Sequence, residues 1–216
     1  MRSRLIILTV ALATAALSWM VISPASSQAQ PPPTVCNGSY WGGTFNNLVV
    51  PSGDSCTLYN SRVKGTITAN PNSELRTCGA EIKGSVNTTQ SYVNMDWDTT
   101  VGGSVSLNEP GTPMFNLISC TSVGPVDGYA AYICPRLIGG SLDVTNGVNS
   151  GQEVEIGDCG PMNIHGSVNI IDNNLFVSME DAQILGSLRC FDNDPTAEVF
   201  DSSVTGPTHG DCSPPT

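Results

Sequence analysis

Val63-Lys64-Gly65-Thr66-Ile67, Ile82-Lys83-Gly84-Ser85-Val86 and Val101-Gly102-Gly103-Ser104-Val105 are three copies of one short phrase. It returns as Ile138-Gly139-Gly140-Ser141-Leu142, Ile164-His165-Gly166-Ser167-Val168 and Ile184-Leu185-Gly186-Ser187-Leu188. Each copy is a glycine followed by a small hydroxyl residue and an aliphatic one. Gly206 is a weaker late echo, and Asn47 reads as a degenerate first glycine. The glycine thus returns about every nineteen positions, the signature of a solenoid. Two intervals are longer, Gly103 to Gly140 and Gly140 to Gly166, and the first of them is close to two periods.

Aligned on the glycine, the coils form columns. Two positions before it stand Phe45, Val63, Ile82, Val101, Ile138, Ile164, Ile184 and Val204; two after it stand Val49, Ile67, Val86, Val105, Leu142, Val168 and Leu188. Four positions after it come Leu107, Val144, Ile170 and Cys190. Period-two alternation of mostly β-branched residues predicts one short strand per coil at this place. A second, weaker apolar patch follows in each coil (Leu58, Leu75, Val93, Phe115, Val154 with Ile156, Phe176, Val199 with Phe200), after turns rich in Asn, Asp, Pro and Gly. Such residues accept the left-handed or tight conformations that corners require. No stretch beyond Ala29 sustains a helical period.

The expected fold is therefore all-β: a single-stranded parallel β-helix of about eight coils, most of them roughly 18–20 residues long. Variable coil length and the absence of a strict hexapeptide favour the right-handed type over the left-handed one. Residues 111–136 break the pattern and read as an irregular insertion, holding either one degenerate coil near Val123-Gly124-Pro125-Val126 or a side loop closed by Cys120 and Cys134 beside Tyr129 and Tyr132.

The ends carry different information. Residues 1–29 combine Arg2 and Arg4, an apolar stretch from Leu5 to Ile22, and small residues at Ser27 and Ala29, the pattern of a secretory signal peptide. A retained membrane anchor is the alternative reading of the same stretch. Residues 30–35 then form a Pro-rich linker, 36–212 the β-helix domain and 213–216 a tail. All eight cysteines lie after the signal, and an even number in an exported chain implies disulfides. Cys36 with Cys56, and Cys190 with Cys212, are each about one coil apart, so bridges there would seal the two ends of the stack; the pairing of Cys78, Cys120, Cys134 and Cys159 stays open. Without the signal the chain has six basic and 19 acidic residues, a charge of 6 − 19 = −13. That charge disfavours nucleic acid and anionic membrane surfaces as partners.

Cys36, the segment Leu48-Val49-Val50-Pro51-Ser52-Gly53-Asp54-Ser55-Cys56-Thr57-Leu58, the successive coils, and the ending from Gly186-Ser187-Leu188-Arg189-Cys190 through Gly206 to Cys212 together resemble a known group. They are similar to small secreted bacterial parallel β-helix repeat proteins of the pectate-lyase-like superfold, which have no established activity. The resemblance covers most of residues 36–212. It implies an architecture and transfers no catalytic residue.

Several constellations could carry chemistry. Asp172-Asn173-Asn174 and Asp192-Asn193-Asp194 begin six residues after their glycines, at one corner of adjacent coils, where Asp172, Asn173, Asp192 and Asp194 could hold a hard cation such as calcium. The plainer reading is a hydrogen-bonded corner ladder. Glu153-Val154-Glu155 and Asp96-Trp97-Asp98 are weaker versions of the same idea. If the chain is an enzyme, Arg189 beside Asp172, Asp192 and Asp194 is its best lyase-like arrangement, but coils this short lack the long loops that build a cleft. Tyr40, Trp41, Trp97, Tyr129 and Tyr132 are candidate platforms for carbohydrate, and each could equally be a packing residue. The expectation is thus a secreted, extracellular, non-catalytic solenoid with a structural or binding role at the cell envelope or extracellular matrix. Its expected partner is a polysaccharide or cell-surface component, and no cofactor is expected, calcium being the one ion the Asp–Asn corner could hold. The rivals are a calcium-dependent polysaccharide-active enzyme and a self-associating adhesion or surface-coat module.

Overall fold

The structure is a computed structural model that describes residues 31–111, 129–148 and 151–212. The proposed signal peptide and the tail lie outside these residues. The chain winds into a parallel β-solenoid of about eight turns, each turn contributing one strand to each of three sheets. The first sheet has nine strands, from Thr34–Val35 to Thr208–Gly210; the second has eight, from Ser39–Trp41 to Glu198–Val199; the third has eight, from Thr44–Phe45 to Ser203–Val204. Every strand pairs in parallel with its equivalent one coil away, for example Val86 with Ile67 and with Val105. There is no helix among the described residues.

The aliphatic columns are the core. Val63, Ile82, Val101, Ile138, Ile164 and Ile184 are buried, as are Ile67, Val86, Val105, Leu142, Val168 and Leu188 on the other side of the glycine. A buried aliphatic side chain contributes roughly 1.5–3 kcal/mol, and no single coil can bury its own face. The stack is the unit that is stable.

The recurrent glycine is required by space, because none of Gly65, Gly84, Gly103, Gly140, Gly166, Gly186 and Gly206 has a positive φ. From Gly84 onward each amide donates to the carbonyl of the glycine one coil earlier, as in Gly186 to Gly166 at 3.0 Å and Gly103 to Gly84 at 2.9 Å. The turns sit so close that a Cβ on Gly186 would lie 2.5 Å from the Gly166 carbonyl oxygen. The serine that follows completes the contact. Its hydroxyl accepts the next coil's serine amide, Ser104 to Ser85 at 3.1 Å, Ser141 to Ser104 at 3.0 Å, Ser167 to Ser141 at 3.2 Å and Ser187 to Ser167 at 3.1 Å. The hydroxyl column is therefore part of the scaffold.

Left-handed residues form the corners. Gln90, Glu109, Asn146, Asp172 and Asp192 follow strands of the first sheet with φ between 48° and 58°, and Asn60, Asp181 and Asp201 turn the chain after the second.

Three details differ from the sequence reading. Leu48, not Val49, pairs with Ile67, and Gly65 donates to the Asn46 carbonyl, so Asn46 takes the glycine's place. Asn47 instead supplies its Oδ1 to the Thr66 amide at 2.8 Å, the task later performed by serine hydroxyls. The linker is shorter than expected, because Thr34 and Val35 already pair with Leu48 and Val49. The interval between Gly103 and Gly140 is one coil and not two, since Val105–Asn108 pairs directly with Leu142–Thr145. Tyr129–Ile133 is a strand of the second sheet inside that coil; residues 112–128, with Phe115 and Val123 to Val126, lie outside the described residues.

Disulfides close both ends as expected: Cys36–Cys56 and Cys190–Cys212, with Cα atoms 5.4 and 5.1 Å apart. At the first end Tyr40 and Phe45 meet edge to face, centroids 5.3 Å apart, as a plug against the core. Cys134 bonds Cys159, so no side loop is closed by Cys134 and Cys120. Cys78 is disulfide-bonded too, and Cys120 lies outside the described residues.

Two measurements check this account. Gly186→Ala forces backbone to move and should cost about 1–3 kcal/mol, lowering the melting temperature by several degrees, whereas Gly38→Ala, with nothing within 4 Å of its added Cβ, should leave it unchanged. Replacing Cys190 and Cys212 by serine should cost about 2–4 kcal/mol, read as an earlier loss of first-sheet amide protection at that end in hydrogen exchange.

Candidate functional site

The three sheets share one core and present different outer faces. On the first sheet the outward column two residues after the hydroxyl ladder reads Thr68, Asn87, Ser106, Asp143, Asn169, Arg189 and His209 in register. On the third, Arg62 pairs with Glu81 at 3.2 Å and Lys83 pairs with the same carboxylate. Arg62 thus reaches across to the neighbouring coil, whereas Lys83 pairs within its own.

The second sheet gathers the aromatic side chains. Its outer side carries Trp41, Tyr59 and Tyr132, joined by Tyr129 through a register shift between Tyr129 and Ala131, while Tyr92 on the same side is fully buried. At the first end Trp41 stacks on its cross-strand neighbour Tyr59, rings parallel within 10° and centroids 4.0 Å apart. In the middle of the wall, Arg76 donates to Glu74 Oε1, and Glu74, Tyr92 and Asn94 are buried. Burial raises the pKa of Glu74 against the opposing pull of Arg76, and pushes the Tyr92 hydroxyl up to about 12. Glu74 Oε2 has no hydrogen-bond partner among the described residues.

Further along, Tyr129 and Tyr132 meet edge to face at 5.8 Å. Their in-register neighbours are Glu153 and Glu155. Asp158 joins them from the turn that Cys159 ties to Cys134. Burial is the main cause that lifts the Glu155 carboxyl to about 7; the Tyr129 hydroxyl, donating to it, opposes this, and Asp158 and Glu153 add to the rise. The same hydrogen bond and burial push the Tyr129 hydroxyl well above its usual range, and burial with Glu155 and Asp158 raises Tyr132.

The other sequence candidates fall elsewhere. Tyr40 points into the end of the core. Trp97 packs where a Cβ on Gly160 would come within 3.2 Å of its ring, and the adjacent Asp96 accepts from the Gly79 amide at 3.0 Å and from Thr99 Oγ1 at 3.1 Å. Asp172 and Asp192 are exposed left-handed corner residues. Asn173 is buried, its Oδ1 accepting from Gly147 N at 2.9 Å and its Nδ2 donating to Val144 O and to Asn193 Oδ1. Asn193 repeats the reach toward Ile170 O at 2.8 Å. The amides of this corner are thereby committed to a ladder. Asp194 is exposed and precedes a cis proline, and Arg189 lies exposed between Asn169 and His209 on the first sheet. No three His, Cys, Asp or Glu side chains among the described residues are grouped so as to hold a metal ion.

The sequence reading does not single out Tyr59 or Asp158. Tyr59 becomes visible once the second apolar patch is aligned as closely as the first, because it flanks Leu58 on the outward side. Asp158 enters through the fold of a turn and leaves no periodic signal. Glu153 and Glu155, a weaker candidate pair in the sequence, lie in the strand Glu153–Ile156 of the second sheet.

No protein-family model, no curated protein and no solved structure matches this chain.

The Glu155 environment generates a sign. Its folded pKa is raised above the 4.5 of a free carboxyl, so the stability it contributes is complete below about pH 4.5 and is lost as pH rises toward 7. Glu155→Gln should flatten that part of the stability–pH curve, raising the melting temperature at pH 8 and leaving it unchanged at pH 4. An equal shift at both pH values would refute the assignment.

Proposed function

We propose that this chain is a secreted, extracellular solenoid that binds carbohydrate without catalysis, at the cell envelope or in an extracellular matrix, through the outer wall of the second sheet. One observation carries the reading: Trp41 with Tyr59, and Tyr129 with Tyr132, lie on the outer side of a single sheet beside carboxyl, amide and hydroxyl groups. Aromatic faces bind the apolar side of a sugar while neighbouring polar groups orient its hydroxyls. The covered centre at Tyr92 divides the wall into two accessible patches, Trp41 with Tyr59 and Tyr129 with Tyr132.

The disulfides fit an oxidising compartment, and the signal-like segment from Met1 to Ala29 fits export. With the repeat architecture they support kinship with the small secreted bacterial β-helix proteins of the pectate-lyase-like superfold.

The test is exposure of the purified protein to a panel of soluble and insoluble polysaccharides, with calcium or with EDTA, scoring retention and chain shortening separately. Retention without shortening, insensitive to EDTA, is the expected result. Calcium-dependent shortening would replace this reading with an enzyme and direct attention to Arg189, Asp172, Asp192 and Asp194. Neither retention nor shortening would sink carbohydrate binding.

A further inference from the structure

We propose that the bare face of Trp41 is the primary sugar subsite, and that it takes an uncharged glycan. The proposal rests on the carbohydrate-binding reading and names the substrate class for one end of the wall.

Trp41 is 72 % exposed, the most exposed large hydrophobic side chain of the described residues. One face of its ring is covered by Tyr59 at 4.0 Å. Its strand, Ser39–Trp41, is the terminal strand of the second sheet among the described residues, and none of those residues adds an earlier strand over the other face. The ring is nevertheless held in place. Gly42 N donates to Tyr59 O at 2.9 Å, Tyr40 on the same strand is anchored against Phe45 in the core end, and Cys36–Cys56 staples the coil beneath. A flat, pre-positioned aromatic loses little conformational entropy on binding, which favours its use as an anchor.

Charge selects the ligand. From residue 31 to residue 61 the chain has no Lys, Arg or His and a single acid, Asp54; the other 18 of the 19 acidic residues lie from Glu74 onward. For a polyuronate the cation in register with this coil, Arg62 beside Thr44, is already paired with Glu81 at 3.2 Å, and the chain beyond the signal-like segment repels it with a charge of 6 − 19 = −13. A polyamine-type sugar would be drawn to the acidic later coils, beside Glu153, Glu155 and Asp158. An uncharged pyranose matches what surrounds Trp41: a π face, with Asn37, Ser39 and Asn60 as exposed neutral hydrogen-bonding side chains.

Intrinsic fluorescence isolates the site, because beyond the signal-like segment the only tryptophans are Trp41 and the packed Trp97. The experiment titrates wild type, Trp41→Ala, Trp41→Tyr and Tyr132→Ala with a soluble uncharged β-glucan, with polygalacturonate and with chitosan, following emission and retention in affinity gels. Light scattering records the mass of each variant. The expected result is a glucan-induced emission shift in wild type, a loss of affinity of tenfold or more in Trp41→Ala, and partial recovery in Trp41→Tyr. Polygalacturonate or chitosan bound in preference to glucan would overturn the uncharged-ligand assignment. Glucan binding unchanged in Trp41→Ala but lost in Tyr132→Ala would overturn this subsite and leave the carbohydrate-binding reading standing. Binding to none of the three would overturn both, and an oligomer that Trp41→Ala reduces to monomer would reassign Trp41 to self-association.

Discussion

The whole molecule depends on how closely one coil can lie on the next at the glycine turn. Six successive glycine amides bond to the glycine carbonyl one coil before, at 2.9–3.1 Å, in a place where a Cβ would meet backbone or serine hydroxyl atoms at under 3 Å. This contact sets the registry of everything that follows. Once the glycines are stacked, the residues two before and two after them fall into continuous aliphatic ladders, and the serine hydroxyls come within reach of the next coil's amides. A Cβ at these turns would therefore disturb two sheets and a hydrogen-bond ladder together, which is a stronger constraint than turn conformation alone imposes.

A regular interior leaves the exterior free to vary. The outward positions of three sheets do not contribute to the core, so each wall carries a different surface on the same backbone. The first presents mixed polar residues and the third presents salt pairs around Glu81. The second presents aromatics with partly buried carboxyls, where burial keeps Glu155 protonated up to near-neutral pH and Tyr129 hydrogen-bonds to it. Solenoids concentrate function on one wall for this reason, since a column of outward residues is extended, rigid and cheap to change.

The ends need separate treatment, because a solenoid has no self-terminating sheet. Here each end is tied by a disulfide across adjacent coils, and the first is also plugged by Tyr40 and Phe45. Side chains at such an end face either the core or open solvent. Tyr40 takes the first course and Trp41 the second, although the two are adjacent in sequence.

The repeat, the all-β solenoid, the core columns and both end disulfides were legible in the sequence, because periodicity in sequence becomes periodicity in space when each coil contacts only its neighbours. The plainer reading of the Asp172–Asn173 corner was legible too, since Asn and Asp at a fixed offset accept the left-handed corner. What escaped lay where the period slips or where partners come from different coils. The one-residue shift at Asn46, the single coil between Gly103 and Gly140, and the Cys134–Cys159 bridge depend on which strand sits beside which. So do the stacking of Trp41 on Tyr59 and the meeting of Tyr129 with Glu155 and Asp158, whose members come from adjacent coils. Sequence by itself determined the scaffold, through steric exclusion at glycine and burial of β-branched ladders. Only the tertiary structure decided which outward side chains share a wall, because that follows from coil-to-coil register, and register is the one quantity that irregular coil lengths hide.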